Sequence, residues 1–573
     1  MSCTIRALRC WVCVLAGLSA SAQSTERASV DAFGVEGNGV SVGASISADG
    51  RFVAFQSAAT NLVAGDTNGI EDVFVRDRTT GVVTRASVHS FGSEANGASG
   101  SPALSANGRF VAFDSLATNL VAGDTNNRRD VFVYDRATAT TQRVSVDSAG
   151  VESDGVSSAP AISADGRFVA FQSRGANLVV GDTNGTSDVF VHDRLLGTTI
   201  RASVGSAGVE ANGASDSASI SSAGDMIVFR SSATNLVVGD TNGRGDVFLR
   251  NPLANATVRV SVSTSGAEAN DDSQLPAISG DGSTVVFESA ATNLVAGDTN
   301  GDSDVFRRAL LTGVTTRVSV DSSGSQSSGP SVYAAVNADG SRVAFHSLAP
   351  NLVAGDGNGL WDVFVHDPGT GVTRRASVST AGAESDGSSG LAALAGNGRF
   401  VAFSSNATNL VAGDNNLSND VFVRDLCDPA WMTYCTAGTT ANGCNALMSA
   451  TGTPSASAAT AFTIQVDDLE GQKSGIVFYG LGGRLELPWG SGSSYRCVQI
   501  PIQRTPQQGT GGTVGACDGA MAVDWNAYLA SHPNALGQPF SAGAIVDAQA
   551  WFRDPPSPLA TSMSNGLEFC VGP

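Results

Sequence analysis

Seven times along the chain, two aspartates and an asparagine recur in the pattern Asp-x-Asn-x-x-x-Asp. The sets are Asp66, Asn68 and Asp72; Asp124, Asn126 and Asp130; Asp182, Asn184 and Asp188; and Asp240, Asn242 and Asp246. Asp298, Asn300 and Asp304; Asp356, Asn358 and Asp362; and Asp414, Asn416 and Asp420 complete the series. The residues between them change freely, from Ile70-Glu71 to Arg128-Arg129 to Leu360-Trp361, while the oxygen-bearing positions do not. A hard cation such as Ca²⁺ takes oxygens from alternating positions of a short loop, completed by backbone carbonyls and water. The same residue types cap turns by bonding their own backbone, and Asn-Gly is a common turn former. Calcium is therefore one expectation for these loops, and backbone capping is its alternative.

Oxygens at the first, third and seventh positions resemble the opening of an EF-hand loop, but the bidentate acid at its twelfth position is missing. Gly follows the asparagine in five copies and is replaced by Asn127 and Leu417 in the others, which loosens the match.

The elements that must position these loops are set by a period of 58 residues. Asn-Leu-Val-(Ala/Val)-Gly-Asp opens at Asn61, Asn119, Asn177, Asn235, Asn293, Asn351 and Asn409, with no insertion or deletion between copies. A fixed period of this size means supersecondary units that bury their faces on one another. In the first unit the pattern predicts strands over 42–47, 51–57, 72–77 and 83–88. A turn glycine sits between the first two, at Gly50, Gly108, Gly166, Gly224, Gly282, Gly340 and Gly398. Phe52 and Ala54 face one side of the second strand and Val53 and Phe55 the other, so both faces must be covered. The seventh unit stops after its third strand, at 420–425, whereas Arg27-Ala28-Ser29-Val30 matches Arg85-Ala86-Ser87-Val88 one period later. The expected fold is all-β: a seven-bladed β-propeller closed by the N-terminal strand, followed by a small disulfide-containing β-sandwich.

The Ser-Ala-Asp-Gly-Arg-Phe-Val-Ala-Phe stretch at 47–55 and Asp-Val-Phe-Val-Arg-Asp at 72–77 resemble the TolB-type, WD-repeat-like propeller repeats of bacterial envelope and exported proteins. The likeness covers about 25–425 and implies the fold. It implies no function, because such propellers serve as scaffolds, binding modules and enzymes. The second-to-third strand loop is longer here than in the family repeat, and TolB's own N-terminal α/β domain has no counterpart.

In an up-and-down blade the Asp/Asn loop and the blade-to-blade loop emerge on one face. The latter carries Glu36, Glu94, Glu152, Glu210, Glu268 and Glu384, with Gln326 as the exception. That face is expected to be ringed by acids, either neutralised by metal, forming an electronegative platform, or standing as a solvated polar rim. Arg51, Arg78, Arg109 and Arg167 fall towards the other face. His192 and His366 share a position held elsewhere by Arg or Tyr, which points to a surface-facing strand residue.

Residues 1–22 read as an export signal: Arg6 and Arg9, an apolar run from Cys10 to Leu18, and Ala20-Ser21-Ala22 before the cut. Residues 23–426 form the propeller and 427–573 the C-terminal domain. Six cysteines fall in that last segment, Cys427, Cys435, Cys444, Cys497, Cys517 and Cys570, and in an exported chain they read as disulfides of undetermined pairing. Zinc is the competing reading, weakened by the lack of any Cys-x-x-Cys. Trp489, Tyr495, Trp525 and Trp551 could stack on sugars or form core, and Asn526 to His532 reads as one or two helical turns.

Losing the signal's two arginines takes the formal charge from −20 to −22, which disfavours nucleic acid and anionic lipid as partners. No segment after residue 22 is expected to insert in a membrane. The leading functional expectation is a secreted, periplasmic or envelope protein acting as a non-enzymatic scaffold for a protein or polysaccharide ligand, with calcium as its candidate stabiliser. The alternatives are a propeller-based polysaccharide lyase or glycoside hydrolase, for which carboxylates are plentiful, and an envelope adhesion component.

Overall fold

The computed structural model describes residues 23–426, 432–434, 440, 444–452, 454–455, 461–481, 484–488, 495–514, 516–538, 540, 545–553 and 561–571. The expected export signal, Cys427 and Cys435 lie outside the described residues, as do Trp489 and the side chains of Tyr495 and Cys570.

Seven four-stranded antiparallel sheets succeed one another along the chain. The first comprises Ser41–Ile46, Phe52–Ser57, Asp72–Asp77 and Val83–Arg85. Val53, Ala54 and Phe55 are fully buried, as are Val73, Phe74 and Val75, because both faces of the middle strands pack against neighbouring blades. Each blade centres on one ring pair, such as Phe55 and Phe74 at 6.1 Å or Phe113 and Phe132 at 5.8 Å. Burying each such side chain contributes about 1.5–3 kcal/mol.

The last blade is built from both ends of the chain. Thr25–Arg27 pairs antiparallel with Asp420–Asp425, in the register Thr25 to Arg424 and Arg27 to Phe422. Ala28 N–H donates to the Val421 carbonyl at 2.7 Å and Asp425 N–H to that of Ser24 at 2.8 Å. The expected closure is therefore present.

The first strand of each blade lies innermost. At its far end a ring of backbone hydrogen bonds links all seven blades: Ala48 to Ala106, Ala106 to Ala164, Ala164 to Ser222 and Ser222 to Gly280. Asp281 to Ala338, Ala338 to Gly396 and Asn397 back to Ala48 close the circle. Small residues are required here, since a Cβ on Gly396 would lie 2.8 Å from that of Ala48. The turn glycines have two duties. Gly108 has φ +69°, and a Cβ there would fall 2.3 Å from the Phe52 ring of the preceding blade.

On that same end, the first three blades and the seventh carry an arginine–aspartate set. Arg51 grips Asp77 through two bonds of 2.9 and 2.7 Å, and Arg109 grips Asp135 through bonds of 2.8 and 2.7 Å. Arg136 stacks on Phe52 of the neighbouring blade at 4.3 Å. The fourth and fifth blades lack the set, and in the sixth Arg342 lies 3.8 Å from Asp367 and reaches Glu568 of the C-terminal region at 2.5 Å. A cleft of about 590 Å³ opens there, lined by Asp49, Asp281, Asp339, Arg342, Asp547 and Glu568 among others.

Among its described residues the C-terminal region contains a six-stranded sheet, a three-stranded sheet and a two-stranded ribbon, with one helix at Trp525–Ser531 capped by Asp524. Trp525 is core, packed edge-on against Phe462, Tyr479 and Phe569. Cys444 and Cys517 form a disulfide, and Cys497 is also disulfide-bonded.

Candidate functional site: an arginine-centred rim

The first aspartate of each loop ends the Gly-Asp turn and the second opens the third strand, so both carboxylates point back toward the fourth strand. What meets them there is an arginine that the sequence pattern alone had placed only as strand. Arg85 Nη1 lies 3.2 Å from Asp66 and 3.1 Å from Asp72, while its Nη2 lies 3.0 Å from Glu94 of the blade-to-blade loop. The arrangement recurs with Arg143 on Asp124, Asp130 and Glu152, Arg201 on Asp182, Asp188 and Glu210, and Arg259 on Asp240, Asp246 and Glu268. Arg375 holds Asp356, Asp362 and Glu384, and Arg27 of the closing strand holds Asp414, Asp420 and Glu36. In the fifth blade Arg317 pairs with Asp298 and Asp304 alone, because Gln326 replaces the glutamate.

The asparagines do the capping expected of the alternative reading. Asn68 Oδ1 accepts from Ile70 N–H, and its amide donates to Asp72 at 2.8 Å and to the Ala95 carbonyl at 3.1 Å. Asn126, Asn184, Asn242, Asn300, Asn358 and Asn416 repeat these bonds. Ser87 donates to the other oxygen of Asp72 at 2.5 Å. The acids of this face therefore converge on an arginine, one guanidinium to three carboxylates in six blades and to two in the fifth, so the rim is part-neutralised and still acidic.

Four blades still bring three carboxylates within 4.8 Å of one another: Glu36, Asp414 and Asp420; Asp124, Asp130 and Glu152; Asp182, Asp188 and Glu210; and Asp356, Asp362 and Glu384. Asp124 and Asp240 are buried with one oxygen facing only the guanidinium, at 3.4 and 3.3 Å, and the other without a hydrogen-bond partner. Burial pushes Asp124, Asp182, Asp356 and Asp414 up to about 6, against the pull of the arginines. Arg51 and Arg109, on the opposite end, hold Asp77 and Asp135 down to about 2.

These shifts act in opposite pH windows. A carboxylate raised in the fold binds its proton more tightly than in the unfolded chain, so stability falls as pH rises from about 4 to about 6. A depressed one adds stability that is lost as pH falls from about 4 toward 2. Thermal melting across pH 3–8 is expected to peak at pH 4–5, and Asp124→Asn should flatten the decline above the peak. A melting temperature that climbs steadily to neutral pH would contradict this.

His192 and His366 are not surface-facing. Both are buried, with Nδ1 2.9 Å from Thr199 and Thr373 respectively, and burial pushes them down to about 4. Their third-strand position faces the blade-to-blade hairpin, where Arg76 of the first blade donates to the Asp31 carbonyl at 3.1 Å.

A position inside the second strand also escapes the repeat. It lies near the rim end of the second strand and reads Gln56, Asp114, Gln172, Arg230, Glu288, His346 and Ser404. Its side chain reaches the next blade's inner strand, where Gln56 accepts from Ser101 N–H at 3.1 Å and Glu288 from Tyr333 N–H at 2.8 Å. The signal was present in the sequence as polar variation inside an otherwise constant block.

Seven sheets around one axis, closed by an N-terminal strand, define the chain as a seven-bladed β-propeller with a disulfide-containing C-terminal β-region. Among solved structures it is similar to a putative TolB from Agrobacterium tumefaciens, at 12% identity and TM-score 0.33, covering 60% of this chain and 93% of that one. It is also similar to a prolyl endopeptidase (11%, TM-score 0.41, covering 76% of this chain and 56% of that one) and to dihydro-heme d1 dehydrogenase NirN (15%, TM-score 0.32, 63% and 61%). No family model and no curated protein matches the sequence.

Proposed function

We propose that the chain is an exported, non-catalytic scaffold that binds a protein or polysaccharide ligand, divided into a signal at 1–22, a propeller at 23–426 and an accessory domain at 427–573. One observation carries the reading: in every blade the paired carboxylates surround an arginine. A glycosidase needs two carboxyl groups flanking the scissile bond, and these are engaged with one another's counter-ion. The Cys444–Cys517 bridge supports an oxidising compartment. Among the described residues no helix is long and apolar enough to cross a membrane, and the charge of −20 favours neither nucleic acid nor anionic lipid. Purified mature chain incubated with neutral and uronate-containing polysaccharides is expected to release no reducing ends and no unsaturated product. Turnover abolished by a carboxylate substitution would overturn the proposal.

Calcium in the loops is the second reading, favoured by Oδ2 of Asp124 and of Asp240, which is buried without a hydrogen-bond partner. An ion bound only to the folded state would stabilise it by about 2.7 kcal/mol at one hundred times Kd. Melting in millimolar Ca²⁺ should then exceed melting in EGTA; identical curves would leave arginine as the only cation of the rim.

A further inference from the structure

The sixth blade breaks the symmetry of the inner strands with aromatic rings. Tyr333 occupies the bulge position held by Gly43, Ser101, Ala159, Ser217, Leu275 and Leu391 in the other blades. Its ring stacks on His346 at 5.1 Å and 18°, and His346 meets Trp361 edge-on at 5.1 Å. No other blade combines aromatic residues at these three positions. Tyr333 is 45% exposed and Leu391 of the next inner strand is 40% exposed. Tyr333 also adopts φ +52°, a left-handed conformation costly for a bulky side chain. The bulge imposes this conformation in every blade, and here buried Glu288 holds its backbone: Oε2 accepts from Tyr333 N–H, and Oε1 accepts from Gln274 at 2.7 Å.

We propose that the rim-side mouth of the axial channel at the sixth blade binds a neutral pyranose, with Tyr333 as its stacking platform and Leu391 at its flank. This deepens the scaffold reading and rests on it. Three chemical classes of ring-binding ligand were possible. An ammonium cage needs a void walled by rings, but these rings touch one another and leave none. An anionic ligand meets an acidic chain with its rim arginines already engaged. A neutral sugar offers an apolar C–H face for the tyrosine and hydroxyls for the surrounding polar rim.

The test is calorimetric titration of the mature chain with neutral hexasaccharides of glucose, galactose, mannose and N-acetylglucosamine, with tetramethylammonium and a galacturonate hexasaccharide alongside. At least one neutral hexasaccharide should bind. Tyr333→Gly should weaken that binding at least tenfold while leaving the melting temperature intact, because glycine tolerates φ +52° and already serves at position 43. Tyr333→Phe should retain it, and Trp361→Ala should weaken it less. Four results would overturn the proposal: no neutral sugar bound, binding indifferent to Tyr333→Gly, binding only of the ammonium, or binding only of the acidic sugar. All four leave the scaffold reading standing, since that fails only on turnover.

Discussion

Deleting residues 23–30 is expected to open the propeller. The loss includes the Thr25–Arg27 pairing, the bonds from Ala28 to Val421 and from Asp425 to Ser24, and the two-way link of Ser29 with Asp420 and Val421 N–H. Each hydrogen bond contributes about 0.5–1.5 kcal/mol. Loss of Arg27 also leaves Asp420 buried without its counter-ion, at about 3–5 kcal/mol. The total is on the order of 10 kcal/mol, comparable with the whole stability of an ordinary domain. Equilibrium denaturation should show the truncated chain unfolding far earlier or self-associating through the bared edge of 420–425. A synthetic peptide of residues 23–40 should restore the transition in trans. A truncated chain that melts with the intact one would show that the closing strand is dispensable.

Arg143→Met should cost about 3–5 kcal/mol, since it strands charges rather than removing a surface pair. The Asp124 side chain is only 1% exposed and Asp130 is fully buried. With the guanidinium gone, proton binding by these carboxylates strengthens, so the variant should regain stability as pH falls toward 5. Millimolar Ca²⁺ should raise its melting temperature more than that of the unaltered chain, because the ion would occupy the vacated centre. Arg317→Met provides the internal contrast. Gln326 stands where the third acid would be, so its loss should be smaller. Equal losses in the two blades would show that the carboxylates are not energetically centred on arginine.

The period, the closure and the turn glycines were legible because each is a local pattern repeated seven times. The partner of the acids was not, although its residues were in plain sight. Arg85 lies 13 residues beyond Asp72, across a strand and a turn, and only sheet pairing returns it to the loop. Reading the acids without that return gave an anionic face and missed the guanidinium at the centre of each set. The histidines were misplaced for a related reason. A third strand looks half-exposed in isolation, and only the hairpin entering from the previous blade covers it. In the C-terminal region Gly, Ala and Ser dilute the alternation of the strands at 447–452 and 519–524, whereas those at 474–480 and 545–553 are rich in β-branched and aromatic residues.

The circle of amide bonds through Ala48, Ala106, Ala164, Ser222, Gly280, Ala338 and Gly396 makes the two mouths of the axis unlike. Ala48, Ser222, Gly280, Ala338 and Gly396 line the cleft together with Leu481, Gln499, Asp547 and Glu568 of the C-terminal region. The second domain thus overhangs one mouth and leaves the toothed mouth to the propeller alone, so a ligand arriving at either end meets a different set of neighbours.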